Sequence, residues 1–260
     1  MANIFRSIWV IAYREFLRFI QDRSRMFSSF SMPILFLVIF GAGFGKLIGQ
    51  MMPGMNYIQF MYPGILAMTV LMTSVMSGVS IVWDREFGFL KEVLVSPLNR
   101  SGILVGKAVG AAGIAVMQGV IMLVIAPLVG VSLNWGIVLS LIPLLLILSG
   151  CLSGLGLLIG ARMRSQQGFQ LIMQLVIFPM MFLSGIFFPL TGMATWLEIL
   201  SKINPVTYGI DAIRQVFLGS DVAGVIIFGH TMSIVESALL VMGVGFLLLT
   251  AAILVFNRQE

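Results

Sequence analysis

The sequence predicts an all-α integral membrane protein of six transmembrane helices, and three observations predict it. Hydrophobic residues make up 59% of the 260 and charged residues only 10%, whereas a soluble domain is about half apolar and roughly a quarter charged. The mean hydropathy is +1.08, so lipid must stand in for the polar surface the chain lacks. Finally, six stretches reach the roughly 20 apolar residues that a helix rising about 1.5 Å per residue needs to cross a core about 30 Å thick.

Residues 1–25 come first and are not a span. Phe5, Ile8, Ala12, Phe16 and Phe19 recur at helical spacing, with Ser7, Arg14, Arg18, Gln21 and Arg25 as an opposing stripe. That pattern predicts an interfacial helix, its apolar groups at the acyl boundary and its arginines at the phosphates. A solvated helix packed on a soluble partner is the alternative. The spans follow at 27–48, 58–83, 103–131, 137–161, 168–188 and 230–256. The first apolar run is longer than the roughly 7–15 residues of a signal peptide core, and it is read as an uncleaved anchor. The short joins argue for a single membrane domain over 1–260, with a cytoplasmic loop at 84–102 and an external segment at 188–229.

That external segment is punctuated by Pro189, Gly192, Pro205 and Gly209, with Trp196, Leu197, Ile199 and Leu200 between them. It is too apolar for a plain loop and too broken for a span. It predicts short re-entrant helices dipping into the outer leaflet, with Trp196 and Tyr208 as interfacial anchors. Glycines four apart, at Gly41/Gly45/Gly49, Gly102/Gly106/Gly110 and Gly150/Gly154, predict smooth ridges where helices approach closely within the bundle.

Short cytoplasmic loops collect Lys and Arg. Arg6, Arg14, Arg18, Arg23 and Arg25 precede span one, and Arg85, Lys91, Arg100 and Lys107 surround the join between spans two and three. Arg162 and Arg164 follow span four, and Arg258 follows span six. Only Lys46, Lys202 and Arg214 fall on the other side, so both termini are expected in the cytoplasm. The net charge of +5 is this same clustering beside membrane lipid and implies no nucleic-acid partner.

Chemistry on the chain itself is largely excluded. The run from Gly41 to Leu47 has three residues between its outer glycines and Leu after the lysine, where a phosphate loop needs four and then Ser or Thr. His230 is the only histidine, which rules out a multi-histidine metal site. Ser149, Ser153 and Ser184 precede glycines but lack the glycine two positions earlier that intramembrane serine proteases share. Catalytic, metal and cofactor sites are expected to be absent. Glu236, about two turns into the last span, is the best candidate for an intramembrane charge; the alternative places it at headgroup level with His230.

The informative stretch runs from Trp83 to Pro97. Phe87, Leu90 and Leu94 share one helical face, while Arg85, Glu86, Lys91 and Glu92 carry charge elsewhere. A short amphipathic helix closed by Pro97 calls for a protein partner along its apolar face. The run Asp84-Arg85-Glu86-Phe87-Gly88-Phe89-Leu90-Lys91-Glu92-Val93-Leu94-Val95-Ser96-Pro97 resembles the signature loop of ABC-2 type exporter membrane subunits. A second signature is similar in Phe188-Pro189-Leu190 and in Ile203-Asn204-Pro205-Val206-Thr207-Tyr208-Gly209-Ile210-Asp211-Ala212-Ile213-Arg214. Phe89 and Lys91, where many members carry Thr and an acid, resemble the branch typified by daunorubicin-resistance permeases.

The resemblance implies a dimer of this chain with two copies of a separate cytoplasmic ATPase, which holds the ATP and magnesium. It implies ATPase coupling through Arg85, Glu86, Phe87, Gly88, Leu90, Glu92, Leu94 and Pro97. It places Pro189, Trp196, Asn204, Pro205 and Tyr208 in the external re-entrant pair. Substrates of such exporters are amphiphilic drugs, lipids or lipid-linked glycans. The rival from the residues alone is an ion- or proton-coupled secondary transporter, which calls for several intramembrane charges and internal symmetry.

Overall fold

The computed structural model describes residues 4–51, 57–88, 99–188, 190, 194–219, 225–227 and 230–259, with side chains described outside 44–51 and 259. Helix α1 (Ile4–Gln21) is followed at once by α2 (Arg23–Met51). The break falls at Asp22, whose Oδ1 accepts the Arg25 amide at 3.0 Å and caps α2. Helix α3 (Tyr57–Val75) runs through a single 3₁₀ turn, Met76–Gly78, into α4 (Val79–Glu86). Then come α5 (Arg100–Ile125), α6 (Trp135–Arg162), α7 (Gln166–Phe182), α8 (Thr195–Ile203), α9 (Pro205–Leu218) and α10 (Ile234–Gln259). Asn99, Asn134, Ser165 and Asn204 cap α5, α6, α7 and α9 by accepting a backbone amide within the first turn.

Helix α3 is the axis of the bundle. Met61, Tyr62, Ile65, Leu66, Ala67, Met68, Val70, Leu71 and Val75 are all fully buried, because α2, α5, α6 and α9 pack around it. A helix apolar on every side is stable only when enclosed. Its few polar groups find partners on its neighbours: the Tyr62 hydroxyl donates to the Met122 carbonyl, Thr73 donates to Gln118, and Ser74 donates to Ser149 at 2.7 Å. Helices α3–α4 and α6 cross most closely at Gly78, Gly156 and Gly160, where an added Cβ would collide with the facing backbone. In lipid, such smooth surfaces permit the van der Waals packing that drives association.

Five helical stretches among the described residues are long and apolar enough to cross a membrane: Arg23–Gly43, Tyr57–Glu86, Arg100–Val129, Trp135–Arg162 and Ile234–Arg258. They match the predicted spans at 27–48, 58–83, 103–131, 137–161 and 230–256 within a few residues. The last helix begins four residues late, because His230 and Thr231 pair antiparallel with Ile227 and Ile226 in a two-residue ribbon. The predicted span at 168–188 is a 17-residue helix, α7, that stops at Phe182. Past it, Gly185 takes φ +79, a conformation only glycine adopts cheaply. The turn it makes folds Phe187 back onto Phe40 and Phe36, with ring centroids 4.8 and 5.2 Å away. Residues 194–218 hold two short helices, α8 and α9, divided at Asn204–Pro205, while Gly209, expected to break the segment as well, lies within α9.

The glycine ridge of α5 holds α1. A Cβ at Gly102 would stand 2.8 Å from the Ser7 Cβ, one at Gly106 2.8 Å from the Ile11 Cβ, and one at Gly110 3.0 Å from the Glu15 Cβ. Spacing of four on each helix brings ridge and groove into register. This turns α1 away from the predicted orientation: Ala12 and Phe19 face the bundle, and the outward stripe is Phe5, Trp9 and Tyr13, with the last two rings stacked.

Candidate functional site: a charge cluster at the root of the 84–97 loop

The same ridge carries Lys107, between Gly106 and Gly110, and its side chain is 1% exposed. Its Nζ donates to Glu15 Oε1 at 3.1 Å, to Asp84 Oδ2 at 2.8 Å and to Ser80 Oγ at 2.7 Å. Arg14 completes the set, donating to Glu15 at 3.0 Å and to Asp84 at 3.2 Å. Two cations and two carboxylates from α1, α4 and α5 thus neutralise one another. Burial opposes ionisation of Glu15, but Lys107 and Arg14 together outweigh it and hold its carboxyl below the usual range. Burial likewise works against the Arg14 guanidinium, and Asp84 and Glu15 more than offset it, so its proton is held more tightly than usual.

Asp84 opens the loop singled out by the sequence, and the next two residues are also held within the chain. Arg85 Nη1 donates to the Met163 carbonyl at 2.6 Å, and Glu86 Oε2 accepts the Gln166 amide at 3.1 Å, so both grip the join between α6 and α7. Phe87 is 77% exposed, and Gly88 takes φ +76 in open space. Leu90, Glu92, Leu94 and Pro97 lie outside the described residues. At the far end the Asn99 amide donates to Ser7 Oγ at 3.1 Å, so the loop returns to α1. Both ends of the loop therefore rest on α1. Beside its root, Arg14, Leu17, Arg18, Gln21, Trp83, Asp84 and Phe87 line a groove of about 480 Å³, in which the Arg18 guanidinium lies 5.0 Å from the Trp83 ring centroid.

At the other end of the bundle the predicted residues divide. Asn204 is buried, and its Nδ2 donates to the Met180 carbonyl at 2.7 Å while its Oδ1 caps α9. Pro205 occupies the first turn of α9, where its missing N–H costs nothing. Trp196 is 62% exposed on an apolar face shared with Ile199, Leu200 and Ile203. Tyr208 is 3% exposed, and its hydroxyl donates to the Lys202 carbonyl at 2.6 Å. It is a packed residue of α9 rather than an interfacial anchor, because Gly209 beside it lets α9 settle against Leu148. Pro189 lies outside the described residues.

Glu236 does not face the bundle interior. It accepts the Ser233 amide at 2.8 Å, capping α10, and its carboxylate lies 3.2 Å from His230 Nε2. That arrangement matches the alternative placement beside His230. Buried charge lies instead at Lys107, Asp84, Asp211 and Arg214. The last was counted among the external basic residues, yet it sits 4.1 Å over the Phe60 ring and donates to the Gly185 carbonyl at 2.6 Å. Sequence reading missed these because it sorted charges by the loop they border. A lysine between two glycines of a ridge, and an acid directly after an arginine on α1, were the available signals.

A bundle of long apolar helices with a clamped loop at one end and two short capped helices at the other defines a multi-pass membrane protein of the transport-permease kind. The sequence profile of the ABC-2 type transporter family matches residues 6–218, and the chain belongs to that family. It is 30% identical over 230 residues to the inner membrane transport permease YadH of Escherichia coli K12, covering 86% of this chain and 87% of that one. It is 28% identical over 195 residues to nodulation protein J of Rhizobium leguminosarum bv. viciae, 74% of each chain. It is 32% identical over 168 residues to YbhR of Escherichia coli K12, which is named a probable multidrug ABC transporter permease, 64% of this chain and 45% of that one. The chain is therefore the membrane component of an ABC transporter, and its family pairs with an ABC ATPase subunit.

Proposed function

We propose that the whole chain, 1–260, is one membrane domain that works as two copies with two copies of a separate cytoplasmic ATPase. The assembly drives an amphiphilic drug, lipid or lipid-linked glycan out of a prokaryotic cytoplasm or inner leaflet. The ATPase holds ATP and magnesium, and this chain binds no cofactor. Both termini are cytoplasmic, α7 supplies the sixth crossing, and α8 and α9 are external and partly embedded. Closure of the ATPase pair moves residues 84–97, and the helices open a route outward.

The observation that carries this reading is the anchoring of the loop at both ends on α1, through Asp84–Arg14 and Asn99–Ser7. A push on the loop reaches α1, α4 and α5 together, because one ion cluster joins all three. The test is ATP turnover by the purified chain alone, by its ATPase alone and by the co-purified complex. Substrate-stimulated turnover confined to a complex with two copies of each is the expected result. Robust turnover by the isolated chain, or transport driven by an ion gradient without the ATPase, would overturn the proposal.

A further inference from the structure

The groove beside the root of the loop carries a charge that the chain leaves unanswered. Lys107 and Arg14 match Glu15 and Asp84 one for one, so the ion cluster beneath it is neutral. Arg18 adds one further positive charge. It pairs with no carboxylate among the described residues, and its guanidinium lies against the Trp83 ring. The Gln21 side chain, exposed one turn further along α1, forms no hydrogen bond among the described residues either. Arg14, Leu17, Arg18 and Gln21 fall at steps of three and four, so a single face of α1 lines the groove. The carboxylate in the wall, Asp84, is buried and already accepts from Lys107 and Arg14. The wall therefore offers an excess of donors and one uncompensated positive charge.

Two helices fix the depth of this groove. Helix α2 starts to cross at Arg23, two residues past Gln21, and α3–α4 stops crossing at Glu86, three residues past Trp83. A groove where one crossing begins and another ends lies at headgroup level, the depth that tryptophan rings also prefer. Its volume of about 480 Å³ falls within the roughly 300–1,000 Å³ of small-molecule sites. The oxyanion that abounds at this depth is lipid phosphate, which favours a lipid over an acidic segment of the ATPase. Guanidinium and phosphate form charge-assisted, often bidentate hydrogen bonds. The Trp83 ring holds the guanidinium in place beforehand, which lowers the ordering cost of binding.

We infer that the groove between α1 and α4 binds the phosphate headgroup of one anionic phospholipid per chain, with Arg18 and Gln21 donating to the phosphate and Leu17 as the apolar wall. The inference rests on α2 and α3–α4 as membrane crossings and not on the substrate or the direction of transport. A lipid seated there joins α1 to α4 beside the Arg14–Asp84 contact. Membrane composition thereby bears on the same joint that anchors the loop.

The experiment titrates the purified complex of the full chain with its ATPase, and the full chain alone, with phosphatidylglycerol, phosphatidylcholine or inorganic phosphate. Retained lipid is counted by native mass. One phosphatidylglycerol per chain is expected in both samples, held in preference to phosphatidylcholine and not displaced by excess inorganic phosphate. Arg18→Gln should weaken that retention about tenfold and Gln21→Leu about threefold. Both side chains are exposed, so their loss leaves the bundle core intact. Arg6→Gln removes the same charge from an exposed position on α1 outside the groove and should leave retention unchanged. Equal losses in Arg6→Gln and Arg18→Gln, or no preference between the two lipids, overturn the site and leave diffuse attraction to the membrane surface. Retention by the chain alone but not by the complex overturns it in favour of an acidic segment of the ATPase. Displacement by inorganic phosphate makes the ligand a free anion, and retention unmoved by both groove variants places the lipid elsewhere; either result also overturns the inference.

Discussion

At one end of the bundle, α1 is held to α5 by a strip of glycines and by four formal charges shared with α4. At the other end, α9 is held to α3 and its neighbours by a capping asparagine, by Arg214 over the Phe60 ring, and by buried Val206, Tyr208, Ile210 and Ile213. The two ends fail differently. Ion pairs out of water add little net stability, yet removing one partner strands a charge and is severe. Caps and apolar contacts give way in proportion to what is removed. The first end therefore behaves as a unit that holds or detaches whole, which suits an element that transmits force. The second is a graded seat.

The largest effect is expected at Lys107. Lys107→Met leaves Glu15 and Asp84 with Arg14 as their one shared cation and so strands one carboxylate charge, at a cost of about 3–5 kcal/mol, read as a lowered melting temperature of the detergent-solubilised chain. Adding Asp84→Asn alone should restore most of it, because Arg14 and Glu15 then form a balanced pair with no charge to strand. If the single variant melts like the parent, the cluster is not a unit.

Gly106→Leu comes next. Its Cβ alone would stand 2.9 Å from the Ile8 carbonyl oxygen, so α1 must lift from α5 at about 1–3 kcal/mol, and transport should fall further than stability. Gly150→Ala is the contrast: nothing lies within 4 Å of its added Cβ, and the variant should match the parent. At the seat, Asn204→Ala loses the α9 cap and the tether to Met180 for about 1 kcal/mol, measured by the same melting assay.

The smallest effect is in acid. The folded state holds the Glu15 carboxyl below its ordinary value of 4.5, so its stabilisation is complete above that pH and fades as pH falls through the lower folded value. Glu15→Gln should flatten that limb of the stability profile and leave the neutral region with the same shape. An unchanged acid limb would mean that another carboxylate governs it.

Much of this architecture is legible in the sequence, for physical reasons. A run of apolar residues that must cross lipid has little choice of structure, which is why five of the six expected spans lie within a few residues of their helices. The ridge at Gly102, Gly106 and Gly110 was readable because absent side chains leave room for only one kind of neighbour. The rotation of α1 was not readable. Periodicity shows that Phe5, Ile8, Ala12, Phe16 and Phe19 share a face, and only Glu15 reaching Lys107 decides which face turns inward. Tyr208 misled for the same reason: a ring beside a glycine suits the interface or a tight contact equally until the neighbour, Leu148, is known. At Glu236 depth along the chain was the weaker guide, because the Ser233 amide and His230 hold its carboxylate at the helix start.

The central claim is that the loop beginning at Asp84 carries ATPase movement into the cluster, and Phe87 and Leu90 test it most directly. Phe87 is exposed at the loop's root, where loss of its ring cannot disturb the bundle core, and burying such a side chain against a partner is worth roughly 1.5–3 kcal/mol. The measurement is ATPase binding and transport by Phe87→Ala and Leu90→Ala, each normalised to membrane expression. The account predicts at least about tenfold weaker binding for each, with an unchanged melting temperature of the chain alone. Undiminished binding and transport in both variants would contradict it.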